Sequence, residues 1–72
     1  MSSVSLTEAY RIVSRVLLRY PFVVAVYPDY RENSIVVVVK SREDVEKVYS
    51  IVGHSIYGYR IIVKVGSIHA IS

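Results

Sequence analysis

The chain has 72 residues, no cysteine, a net charge of +3 and a sequence pI of about 9.4. That length leaves room for one core, so residues 1–72 read as a single domain, and a disulfide scaffold or cysteine-based metal site is excluded. Hydrophobic residues make up 53% and mean hydropathy is +0.40, yet charges interrupt every apolar run before the roughly 18 residues that a membrane span needs.

The first residues, Met1-Ser-Ser-Val-Ser5, carry neither a basic region nor an apolar one, so no signal peptide is expected and a cytoplasmic location is the default. Ser5-Leu-Thr-Glu8 has the form of a capping box, in which a hydroxyl and a carboxylate satisfy each other's backbone amides. Leu6, Ala9, Tyr10, Val13, Val16, Leu17 and Tyr20 then recur at helical spacing. The pattern predicts a first helix over about 6–19, stopped by Pro21.

Phe22 to Tyr27 reads as a first strand and Ile35 to Lys40 as a second. The polar stretch Pro28–Ser34 between them predicts an antiparallel hairpin, with Asn33 able to take a positive φ at little cost. Phe22–Tyr27 and Ile35–Val39 are apolar at every position, whereas a strand with one wet face alternates. Both faces of these strands are therefore expected to be covered.

Ser41 is placed to cap a second helix, with Glu43 and Asp44 in its first turn and Val45, Val48, Tyr49 and Val52 along its apolar side. Gly53 is a natural stop. Tyr59–Val65 alternates, with Tyr59, Ile61, Val63 and Val65 on one face and Arg60, Ile62 and Lys64 on the other. Gly66-Ser67 can turn the chain, and Ile68–Ile71 could add a short final strand.

The order αββαβ predicts an α+β two-layer sandwich, two helices on one face of a sheet of three or four strands. The second strand, second helix and third strand make a right-handed crossover, so those strands run parallel, as neighbours or with one strand between them. This order resembles the ferredoxin-like fold without its first strand, or a permuted form in which Ile68–Ile71 fills the gap.

Two helices cannot cover both faces, so one sheet face is expected to lack a partner within the chain. The residues assigned to it are Val24, Val26, Val36, Val38 and Ile62, with Lys40, Arg60 and Lys64 at the margin. An apolar centre with a charged rim is how an interface is built. A non-catalytic interaction module that self-associates through its sheet face or edge, as a dimer or higher oligomer, is the leading expectation. Sparse Asn and Met, no Gln, and abundant Val, Ile and Arg match the drift of proteins from hot environments.

The alternative is a small nucleic-acid-binding protein. Arg11, Arg15 and Arg19 stand four apart on one helix face, and Arg31 and Arg60 lie beside Tyr27, Tyr30, Tyr57 and Tyr59. Against it, the basic excess is small. His54 and His69 have no ligand at metal-binding spacing, Ser55 has no evident base, and Glu43, Asp44 and Glu46 are explained by the helix dipole. Neither a cofactor nor an enzymatic activity is expected.

Overall fold

The computed structural model describes residues 4–66. In chain order these form α1 (Leu6–Leu17), β1 (Val23–Asp29), β2 (Ser34–Val39), α2 (Glu43–Val52), β3 (Ser55–Ile56) and β4 (Tyr59–Val65). Ile68–Ile71 and His69 lie outside the described residues.

The capping box forms as its residues predict. Glu8 N–H donates to the Ser5 hydroxyl at 3.2 Å, and Ser5 N–H donates to the Glu8 carboxylate at 3.4 Å. Leu6, Ala9, Val13 and Leu17 bury the apolar stripe of α1. The helix ends at Leu17 rather than at 19, because turns closed by Tyr20 N–H to Leu17 C=O and Val23 N–H to Tyr20 C=O carry the chain through Pro21 into β1.

The second helix starts differently from expectation. Ser41 does not cap it by accepting from a backbone amide. Its hydroxyl instead donates to the Asp44 carboxylate at 2.9 Å, its N–H donates to the same oxygen at 3.2 Å, and the helix opens at Glu43.

The sheet is mixed and runs β1-β2-β4-β3. β1 and β2 pair antiparallel, β2 and β4 parallel, and β3 and β4 antiparallel. The α+β class is as expected, but the ferredoxin-like reading is corrected. The strands joined by the crossover are direct neighbours, paired from Ser34↔Arg60 to Val39↔Val65, so no gap awaits another strand.

Packing sorts the strand residues. Ile35, Val37 and Val39 of β2, Ile61 of β4 and Val23 and Val26 of β1 join Leu6, Ala9, Val13 and Leu17 of α1 and Val48 of α2 in one buried cluster. Tyr59, Val63 and Ile56 pack against it. Both helices therefore lie on the side of the odd-numbered residues of β2 and β4. β2, second in the order with a strand on each side, is the spine of this core, which is why its sequence is so uniformly apolar.

The strand missed in the sequence is β3. Ser55-Ile56 and Tyr59-Arg60 form a tight hairpin across Tyr57-Gly58, whose φ values of 52° and 86° are both positive. Such turns ordinarily carry Asn-Gly or Asp-Gly, so Tyr-Gly gives no recognisable signal.

Candidate binding surfaces

The helix-free face can be read from the strand register, because residues opposite one another share a face. One row runs Tyr27, Val36, Ile62; the next runs Ala25, Val38, Lys64; the third runs Asp29, Ser34, Arg60, Ser55. Lys40 follows β2 in the same alternation. The assigned residues Val36, Val38 and Ile62 and the cations Lys40, Arg60 and Lys64 all fall on this side.

Val26 does not. It is 8% exposed, sits opposite Val37 and belongs to the core beneath the helices. The cause is a bulge in β1: Val23 pairs with Val39 but Ala25 pairs with Val38, so two residues advance against one. One extra residue flips every later side chain to the other face. Tyr27 thereby takes the place that Val26 was expected to hold, and Val24 is the half-buried extra residue of the bulge.

The centre of this face is drier than an open sheet would be. Val36 is 2% exposed, although no described helix lies over it, and it stands between Tyr27 and Ile62. Tyr27 is 43% exposed, and Val38 and Ile62 are half-buried. The Ser34 hydroxyl in the neighbouring row is buried with no hydrogen-bond partner.

A second surface gathers at one end of the sheet. β2 and β4 are parallel, so the turns that lead into them, Tyr30–Asn33 and Tyr57–Gly58, stand at the same end. The start of α1 is tied to that end by two contacts. The Thr7 and Tyr30 hydroxyls lie 2.7 Å apart, and the Tyr59 hydroxyl donates to Val4 C=O at 2.8 Å. Tyr30 and Arg31 are thus brought to the head of the pair Arg11 and Arg15 on α1; Arg19, exposed like them, lies past the helix end at Leu17, so the expected ladder of three on one helix face is shortened to two. Asn33 takes a positive φ of 54°, as the turn requires, and Asp29 holds the turn by accepting from Arg31 N–H and Glu32 N–H. Among the described residues the ion pair is Lys47–Asp44, at 3.3 Å, and none involves an arginine.

Asp44 is the side chain with a resolved pKa shift. Burial pushes its carboxyl up, but hydrogen bonds from Ser41 and Lys47 and the Lys47 charge outweigh that, so its pKa lies below the ordinary value. Lys47 also stands over the Phe22 ring, 5.3 Å from its centroid, fastening α2 to the entry of β1. The His54 ring stacks on Tyr49 at 4.0 Å, which gives that histidine a packing role. Among the described residues no three His, Asp or Glu side chains gather as metal ligands would. No helix of the described residues is long and apolar enough to cross a membrane. In comparisons with known proteins, no family model, curated protein or solved structure matches the chain.

Proposed function

We propose that the chain is a non-catalytic interaction module that self-associates through the helix-free face of its sheet. The observation that supports this reading is the one-sided placement of the helices: α1 and α2 pack on the odd-numbered side of β2 and β4, and the rows through Val36 and Val38 have no described element above them. Apolar rows edged by cations suit a partner that closes over them.

The rows also suit a second copy. A two-fold axis parallel to β2 sets β1 of one chain over β4 of the other in an aligned sheet packing. Tyr27 then meets Ile62 of the second copy, and Asp29 meets its Arg60, while Ser34 faces its own counterpart at the axis. A standard interface of this kind covers about 800 Å² per partner.

Light scattering or sedimentation at micromolar concentration tests the proposal, with a mass of two chains or more expected. Ile62→Glu should reduce it to one chain with the fold kept, and Arg60→Asp, which would face Asp29 of the second copy, should weaken the assembly. A wild-type protein of monomeric mass would end the proposal.

A further inference from the structure

The sheet end that carries Tyr30 and Tyr57 has three features that self-association does not use. The first is Tyr57. It is held at φ 52°, in the left-handed region, which a bulky side chain rarely adopts. The ring takes no part in the core and is 57% exposed. Local strain left uncompensated by packing points to a role for the side chain outside the fold.

The second is Tyr30, 64% exposed yet fixed by the contact of its hydroxyl with Thr7. An exposed aromatic ring held in place is a preorganised stacking surface. The third is charge. Arg31 adjoins Tyr30, and Arg11 stands one helical turn beyond Thr7, with Arg15 one turn further along α1 and Arg19 exposed just past the helix end. Glu8 and Asp29 accept from backbone amides and keep their charge, so Arg11, Arg15, Arg19 and Arg31 stand against Glu8, Asp29 and Glu32 in this region.

We infer that this end of the sheet, from Tyr30 to Tyr57 and along the outer side of α1, binds single-stranded nucleic acid. The two turns lie across a sheet about 14 Å wide from β1 to β3, taking about 4.8 Å per strand spacing, which suits a few unpaired nucleotides. Exposed rings would stack on bases, which are unpaired in a single strand and hidden in a duplex, and the arginines would meet phosphates. The preference for a single strand rests on the two tyrosines, because arginines alone would take any polyanion.

The test is fluorescence anisotropy with labelled oligothymidylate and oligouridylate, run beside a duplex of equal length and anionic phospholipid vesicles. The single strands should bind best, and affinity should fall roughly tenfold to twentyfold between about 50 and 200 mM salt if three cations contact phosphates. Tyr57→Asn suits the turn and keeps the fold, yet should weaken binding about tenfold, as should Tyr30→Ala. Tyr30→Phe keeps the ring but loses the contact with Thr7 that holds it, so its affinity should fall between those of wild type and Tyr30→Ala. Ile62→Glu, which changes the other surface, should bind as wild type does, so this inference stands or falls apart from self-association. No single-strand binding at low salt, equal binding to duplex or vesicles, unchanged affinity in Tyr57→Asn and Tyr30→Ala, or lost affinity in Ile62→Glu would each overturn it.

Discussion

Gly66 and Val38 meet so closely that a Cβ on Gly66 would lie 2.7 Å from Cγ1 of Val38. Gly66 closes the β2–β4 pairing, its N–H donating to Val39 C=O at 2.9 Å, and so it cannot step aside without breaking that bond. Val38 is β-branched and stiff about χ1, so it cannot easily swing away either. Gly66→Ala should therefore destabilise the fold by about 1–3 kcal/mol, the range for an overpacked site. Denaturant unfolding measures it. Adding Val38→Ala should recover most of the loss, because it removes the colliding methyl. Equal stability of Gly66→Ala and wild type would show that the end of β4 is looser than this contact requires.

The turn at Tyr57 predicts the opposite sign. Its positive φ burdens a tyrosine but suits asparagine, and the exposed ring gives up no core contact when it is removed. Tyr57→Asn should add about 1 kcal/mol, seen as a rise in Tm of about 4–8 °C for a domain of this size. A lower Tm would mean that the ring packs in the folded state. Stabilisation accompanied by weaker single-strand binding would separate the fold's demand at this position from the surface's demand.

These two positions show what was legible in the sequence and what was not. Periodicity located α1, α2 and β4, capping chemistry fixed the start of α1 but not of α2, and the alternation of Tyr59–Val65 placed Tyr59, Ile61 and Val63 on the inward side, because each follows from local geometry. The strand order required knowing that β2 and β4 pair directly, which local pattern leaves open. The register puts Val36, Val38 and Ile62 on the helix-free side, as alternation implied, but puts Val26 on the helix side, where a one-residue bulge exchanges it for Tyr27. A run of Phe22-Val-Val-Ala-Val gives no hint of where such a bulge falls, since every neighbour is apolar. The meeting of Tyr30 with Thr7 joins residues 23 apart in sequence and follows only from the packed fold.

Asp44 makes the fold sensitive to acid. Its carboxylate accepts from the Ser41 hydroxyl and N–H and pairs with Lys47, contacts that favour the charged form over its burial cost. Because its folded pKa is depressed, its contribution is fully present above the unfolded value of about 3.9 and is lost as pH falls through the lower folded value. Asp44→Asn should therefore be less stable than wild type at pH 7, with the gap closing below about pH 4. Thermal melts of both proteins across this range check it. A gap that persists unchanged to pH 2 would assign the loss to packing rather than to the charge.

Val36 and Ile62 share a row on the helix-free face but should respond differently to a charge. Val36 is 2% exposed, so Val36→Asp would bury a carboxylate among Tyr27, Val38 and Ile62 with no partner to neutralise it. The cost of several kcal/mol rivals the whole stability of a 72-residue domain, roughly 4–11 kcal/mol, so Val36→Asp should be largely unfolded at 25 °C. Ile62 is half-buried, and a glutamate there can turn its carboxylate to solvent. Ile62→Glu should keep the wild-type circular dichroism and lose only its assembly. On the proposed self-association, the pair would divide the face into a centre that belongs to the fold and a margin open to a partner. A folded Val36→Asp monomer would move that boundary inward, making Val36 part of the contact between copies.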